Sequence, residues 1–365
     1  MRERLVWIDV VKILGIFAIY VGHFGQAAGN LYNFVFAFHV PLFFFVAGLF
    51  AATSTRLPWA TFLVKKAREL LLPFVAFTLL YLAVVVLQGN LGTAQIRPLL
   101  VPLALGIRNE SPTMTLWFLP CLFIVAVIFD LLLRLRFNSW ALLAACTASW
   151  AVAEWVLPHR PVIDPSWAFN LDSALYYILF YAIGALVFPW VRTTTAAPMG
   201  RPARTLVAVS LVLSGALAVA LYFGRDPLDG VSGEVVSSVK IVLYALVLIY
   251  LTIAAGFALA RFRLLASMGQ QTIFYCGNEV IIKTLVPVAL GTVGLTVELT
   301  SPLAVCLYVA ALLVVAHLTI IKVESALLAP LMRPTRHRSG PAPDVATADA
   351  PPLDEPAAER STSTA

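Results

Sequence analysis

The chain has 365 residues, of which 61% are hydrophobic and only 12% charged, and its mean hydropathy is +0.90. A soluble domain carries about twice that charge and far less apolar mass. The composition therefore excludes a soluble globular protein and predicts an all-α integral membrane protein. The formal net charge of +6 is spread among short loops, which reads as a topology signal and argues against a nucleic-acid partner.

A spanning helix needs about 20 apolar residues. Ten segments meet that length, at roughly 5–25, 33–52, 69–88, 115–134, 139–157, 172–191, 204–223, 236–260, 271–293 and 302–322. The start, MRERLVWIDVVK, is basic, but Asp9 and Lys12 interrupt its apolar stretch and no small-residue cleavage site follows. It reads as a retained first span. With the N-terminus inside, the cytoplasmic segments hold seventeen Lys and Arg residues, and the outer loops hold four, Arg97, Arg108, Arg160 and Arg225. That alternation predicts about ten transmembrane helices with both termini cytoplasmic, in the cell (plasma) membrane.

The segment 89–114 is a long outer loop whose apolar stretch, interrupted by Pro98 and Pro102, is too short to span and suits a surface or re-entrant helix. The loop 158–171 is Pro-rich and carries Arg160, Asp164 and Trp167. After Pro334 the composition turns to Pro, Ala, Asp, Ser and Thr, which cannot bury a core. The expected organisation is a multi-pass domain over 1–333 and a disordered cytoplasmic tail over 334–365. No internal repeat suggests the inverted halves of a transporter. The four cysteines, Cys121, Cys146, Cys276 and Cys306, all lie in apolar segments without a CxxC spacing and read as small hydrophobes, not disulfides or metal ligands.

Ionisable groups within spans are costly, and each is a functional hypothesis. Asp9, Lys12 and His23 fall in the first span and His39 in the second; Glu154, Lys240, Glu279, Lys283 and His317 follow. Lys12 and His23 are eleven residues apart, which at 100° per residue puts them within about 20° on one face and about 17 Å apart along the axis. Asp9 and Lys12 can neutralise each other at i,i+3, and Glu279 and Lys283 at i,i+4. Lys240 can snorkel from a helix end, and Glu154 can reach the interface. His317 reads as a satisfied core histidine. His23 has no local partner, and an unperturbed imidazole titrates near 6.5, which suits proton transfer. His39 precedes Pro41, which frees backbone groups that need polar partners. Lys65, Lys66 and Arg68 form a basic cluster after the second span. It reads either as a positive-inside or anionic-lipid signal or as a phosphate clamp.

WIDVVKILGIFAIYVGH followed by FAFHVPLFFFVAG resembles the opening of the membrane-bound acyltransferase-3 family, closest to its fucose 4-O-acetylase-like branch. The family's Arg/Lys, ten residues, His pattern falls on Lys12 and His23, and its Phe-His-Met-Pro-Leu-Phe-Phe-Phe element on Phe38 to Phe45. The resemblance continues through Pro73, Trp117, Tyr181 and Gly184 to GQQTIFYCGNEVII, and covers 5–325. Ala47 stands where the family has Ser, Thr272 where it has Ser and Asn278 where it has a late His. Asparagine can hydrogen-bond but cannot titrate.

The resemblance implies ten helices and transfer of an acyl group, commonly acetyl from acetyl-CoA, to a hydroxyl of a sugar, glycan or glycolipid acceptor. His23 is then the general base, Lys12 stabilises charge or positions the donor, Asp9 orients Lys12, and His39 forms a second polar wall. Lys65, Lys66 and Arg68 hold the CoA phosphates, and Trp117, Asn278 and Glu279 bind substrate. No metal is implied. The rival readings are a transporter or flippase and an acyltransferase-like protein that has lost activity.

Overall fold

Residues Val6–Gly22 form α1 because a mainly apolar run without proline continues from Val6 until the chain turns at Phe24 and Gly25. Gly25 adopts φ +56°, a region that L side chains enter at a cost and glycine does not. In the computed structural model of the protein, residues 4–51, 57–89, 93–110, 114–157, 164–196, 200–231, 233–292, 294 and 297–332 are described. The expected tail, 334–365, lies outside the described residues.

Leu31–Phe36 (α2) and His39–Gly48 (α3) follow, broken at Ala37 and Phe38. Pro41 lies at the third position of α3, where a missing N–H forfeits no intrahelical bond. Trp59–Lys66 (α4) runs through a π turn, Ala67–Leu71, into Leu72–Leu87 (α5). Two short pieces, Thr93–Ile96 (α6) and Leu100–Leu105 (α7), occupy the long loop expected before residue 115. Phe118–Arg134 (α8), Ser139–Trp155 (α9), Leu171–Ala196 (α10), Arg201–Tyr222 (α11) and Glu234–Leu259 (α12) come next. Arg263–Gln270 (α13), Thr272–Gly277 (α14) and Glu279–Thr292 (α15) form one interrupted path. Pro302–Ala316 (α16) continues through a second π turn, His317–Ile321, into Lys322–Met332 (α17).

All the regular structure among the described residues is helical. Seven helices there are long and apolar enough to cross a membrane: Asn30–Gly48, Trp59–Leu87, Thr115–Arg134, Ala168–Thr193, Arg201–Tyr222, Glu234–Leu259 and Pro302–Leu327. The other three expected segments are shorter or interrupted. α1 and α9 each have 17 residues, and the segment 271–293 breaks at Asn278. The start of the third segment also differs. Helix begins at Trp59 and not near 69, so Lys65, Lys66 and Arg68 lie on a helix and its π turn rather than in a loop.

α1 is the central strut. It packs against α2, α3, α12, α13, α14 and α16, and its buried residues fall on every face. A helix apolar all round belongs in the core. α11 is the opposite case, with no buried residue and exposed Leu206 and Val212, as expected of a lipid-facing span.

α3 and α10 cross at near-backbone contact. A Cβ on Gly48 would stand 2.0 Å from the Tyr181 carbonyl oxygen, and one on Gly184 2.1 Å from that of Phe45. Only glycine permits this approach, which is the small-residue mode of helix packing in membranes. Phe44 of α3 then stacks on Tyr177 of α10 with centroids 4.6 Å apart.

Candidate active site

Two polar groups stand at opposite ends of α1. At its start, Asp9 is 6% exposed. Its carboxylate accepts from Lys12 Nζ at 2.7 Å and from Arg4 Nε at 2.8 Å. α13 seals this end, because Gly269 lies against the Asp9 backbone, where a Cβ would be 1.8 Å from the carbonyl oxygen.

At its far end, His23 caps α1 with φ −80° and ψ 7°. Its Nδ1 lies 2.6 Å from Glu279 Oε1. Glu279 opens α15 directly after the break at Asn278, and is 1% exposed. A carboxylate only accepts, so a neutral imidazole paired with it carries its proton on Nδ1 and its lone pair on Nε2. Lys283, one turn along α15, donates from Nζ to the His23 carbonyl at 3.0 Å and to Glu279 Oε1 at 3.4 Å. The same ammonium sits 5.1 Å from the centre of the Phe24 ring. Glu279 is thus a buried charge with a cation and an imidazole around it, the condition under which a buried charge is tolerated.

The structure does not bring Lys12 and His23 together. Each has its own acidic partner, Asp9 for Lys12 and Glu279 for His23. Their shared helix face is real, but so are the three turns of helix between them.

His39 is 3% exposed, and its Nδ1 donates to the Val35 carbonyl at 2.7 Å, across the break between α2 and α3. His39 thus serves as a backbone partner, but to a carbonyl left by the break between the two helices and not to one freed by Pro41. His39 also stacks edge-on with Phe36 at 4.8 Å, and Phe36 lies 6.1 Å from His23. One aromatic ring therefore separates the two histidines.

Asn278 is fully buried. Its amide nitrogen donates to the Phe274 carbonyl at 3.0 Å and to the Glu324 carboxylate. Glu324 is a polar partner that sequence reading missed, because α17 carries the helix past the expected end near 322. His317 is not isolated: Nε2 lies 3.2 Å from Ser267 Oγ, and the ring stacks on Tyr275.

Trp117 stands apart from His23's partners. The Arg108 guanidinium covers its ring at 4.4 Å, Tyr177 lies 6.0 Å away, and its carbonyl accepts from Asn170. The turn that carries it, Met114–Trp117, packs against α14. Arg108 also donates to Ser173 Oγ at 3.0 Å, and burial lowers its pKa from the ordinary arginine value.

The basic cluster is partly neutralised. Lys66 pairs with Glu69 at 3.0 Å, and Lys65 lies 3.9 Å from the same carboxylate. Glu154 accepts from Ser238 Oγ at 2.7 Å, and Lys240 pairs with Asp226 at 2.9 Å. Both therefore have structural partners. The four cysteines are free thiols. Among the described residues no cluster of three His, Cys, Asp or Glu side chains is placed to hold a metal ion.

Comparison with known proteins bears on this geometry. No curated relative and no solved structure matches the chain. A family model described as an acyltransferase domain matches residues 5–320. That span takes in both ends of α1, the basic cluster, Trp117 and the Asn278–Glu279 break; the chain belongs to the acyltransferase-3 family and is a membrane acyltransferase.

Proposed function

We propose that the protein transfers an acyl group, acetyl in the simplest case, from acyl-CoA to a hydroxyl of a sugar, glycan or glycolipid. The observation that carries this reading is the 2.6 Å contact between His23 and Glu279 within a chain of this family. A hydroxyl is a poor nucleophile until a base removes its proton, and a positioned base contributes about 10² to 10⁴ in rate.

His23 Nε2 takes the acceptor's hydroxyl proton as its oxygen attacks the thioester carbonyl. The new C–O bond forms, the C–S bond breaks, and the proton passes from the imidazolium to the departing sulfur, releasing CoA as the thiol. Glu279 is a positioning residue: it fixes the tautomer and stabilises the imidazolium. Lys283 pairs with Glu279 and pins the His23 carbonyl. Lys12 and Asp9, with Arg4, form a separate charged group that meets the donor from the other end of α1.

Lys65, Lys66 and Arg68 hold the donor phosphates at the cytoplasmic face, with Glu69 competing for them. Trp117, beside Arg108 and Tyr177, supplies an aromatic wall for the acceptor, and His39 closes the site behind Phe36. The seventeen to four distribution of basic residues supports ten spans, cytoplasmic termini and residence in the plasma membrane, with α1, α9 and the interrupted α13–α15 path as the remaining three crossings. Segment 38–48 supports placement near the fucose 4-O-acetylase-like branch.

The test is turnover of labelled acetyl-CoA by the purified protein. Release of CoA that requires a carbohydrate acceptor and falls at least 100-fold in His23→Ala is expected. Binding without turnover would support a degenerate enzyme, and neither binding nor turnover would overturn the proposal.

A further inference from the structure

Four buried polar atoms without a partner belong to the path α13–α15 and to the π turn packed against it: Gln271 Oε1, Asn278 Oδ1, Glu279 Oε2 and His317 Nδ1. Gln271, Asn278 and His317 lie on the seam between the path α13–α15 and the path α16–α17, and Glu279 follows Asn278 in the chain. The seam is knitted by Ser267 to His317 at 3.2 Å, Gln271 Nε2 to Ser325 Oγ at 3.2 Å, Tyr275 Oη to the Leu313 carbonyl at 3.3 Å, and Asn278 to Glu324. Both amide nitrogens are committed to acceptors, so the oxygens are the atoms left over. Three of the four unpartnered atoms can therefore only accept, and the imidazole nitrogen suits either role. A buried unsatisfied acceptor costs about 1–3 kcal/mol, so a cluster of them points to a ligand that donates.

The backbone is irregular at the same places. Gln271 has φ −110° and ψ 22°, and Asn278 φ −102° and ψ 8°, near the sparsely populated bridge region. The opposing path makes its π turn over His317–Ile321, and such turns occur often at functional sites. Ser267, Gln271, Tyr275 and Asn278 follow one another at three- and four-residue intervals, each bonded across the seam.

We infer that this seam binds a neutral chain rich in N–H and O–H donors, and that the chain is the pantetheine arm of the acyl-CoA donor. This rests on the acyltransferase reading. The arm carries two amide N–H groups and a hydroxyl along a flexible chain that ends in the thioester. The seam is elongated, which fits an extended arm better than a sugar ring, whose hydroxyls offer the same donor chemistry. Glu279 follows Asn278 directly in the chain and so joins the seam to the proposed base: its Oε1 holds His23, and its Oε2 is buried without a partner. An arm lying there ends beside His23. The Glu279 and Glu324 carboxylates repel anions, so the donor phosphates stay outside it.

The experiment measures dissociation constants of the full-length protein for three probes: acetyl-CoA, S-acetylpantetheine and adenosine 3′,5′-bisphosphate. Gln271→Met removes one acceptor at similar volume. His317→Phe keeps a ring on Tyr275 and carries the same comparison independently, with melting temperature as the folding control. Each variant is expected to weaken acetyl-CoA and S-acetylpantetheine by the same factor, about fivefold for one lost hydrogen bond, with adenosine 3′,5′-bisphosphate unchanged. Unchanged binding of both pantetheine probes overturns the inference. So does a loss confined to the KM of the carbohydrate acceptor, which assigns the seam to acceptor hydroxyls. A wild type that binds no acetyl-CoA overturns the acyltransferase reading itself, and this inference with it.

Discussion

His23 and Glu279 meet at 2.6 Å across 256 residues of chain, joining the end of α1 to the start of α15. The contact sets the tautomer that leaves Nε2 free to accept a proton. Glu279→Gln keeps the shape but offers an amide that can present either a donor or an acceptor to Nδ1. Turnover is expected to fall by up to about 10⁴-fold, the scale seen when a catalytic histidine is held in the wrong tautomer. Affinity for acetyl-CoA falls by no more than about fivefold, the factor for one hydrogen bond. Single-turnover kinetics with labelled acetyl-CoA separate the two, and an unchanged rate in this variant would remove Glu279 from the mechanism.

The charged group at the start of α1 makes a different prediction. Asp9 is nearly buried, whereas the side chains of Lys12 and Arg4 are 28% and 56% exposed. Asp9→Asn leaves the two cations facing one another without their acid, and is expected to cost roughly 1–3 kcal/mol, the lower range for a part-exposed pair. Lys12→Met combined with Asp9→Asn should cost clearly less than the sum of the single changes. Thermal melts of the four proteins in one detergent provide the cycle, and strict additivity would show that the pair is not coupled.

The helical class and the stripe on α1 were legible from composition and 3.6-residue spacing, because both are local properties of the chain. So were the ion pairs Asp9–Lys12 and Glu279–Lys283, at i,i+3 and i,i+4. The partner of His23 was not, since nothing in local spacing joins residue 23 to residue 279. Glu324 was hidden for another reason: the expected last span ended near 322, and the π turn at His317–Ile321 and the continuation into α17 leave no hydropathy signature. The basic cluster was seen, but its placement on a helix was not, because the helix starts directly after Pro58 and not at the expected position near 69.

Gly48 and Gly184 set the distance between α3 and α10. Gly48→Ala forces a Cβ to within 2.0 Å of the Tyr181 carbonyl oxygen, which neither rigid backbone can absorb. The helices must separate, and the expected loss is about 1–3 kcal/mol or more. Gly215 in α11 is the control, because a Cβ there meets nothing within 4 Å. Gly215→Ala should stabilise by up to about 1 kcal/mol through helix propensity. Melting temperatures that move in the same direction for both would contradict the close crossing.

Lys65, Lys66 and Glu69 give a prediction about the donor. If the two lysines hold the CoA phosphates, Glu69 competes for them at 3.0 and 3.9 Å. Glu69→Gln should then lower the KM for acetyl-CoA, and Lys65→Ala with Lys66→Ala should raise it. Both effects should shrink as ionic strength rises and the Debye length falls toward about 3 Å at 1 M. S-acetylpantetheine, which lacks the nucleotide, should respond to none of these changes. A KM for acetyl-CoA that ignores both charge changes and salt would return the cluster to its other reading, a positive-inside signal at the membrane surface.

Asp226 links the loop before α12 to that helix. The Tyr244 hydroxyl, then the Lys240 ammonium and the Leu228 N–H, hold its carboxyl down to about 2. A carboxyl depressed in the fold stabilises above its unfolded value, near 3.9, and that contribution is lost as pH falls toward 2. The loop should therefore keep its protection through neutral pH and open between about pH 4 and pH 2. Hydrogen exchange at the Leu228 amide, whose N–H bonds Asp226 Oδ1 at 2.8 Å, reads this directly once corrected for the intrinsic rate. In Asp226→Asn the acid-induced step should disappear. A step that persists in that variant would assign the transition to another group.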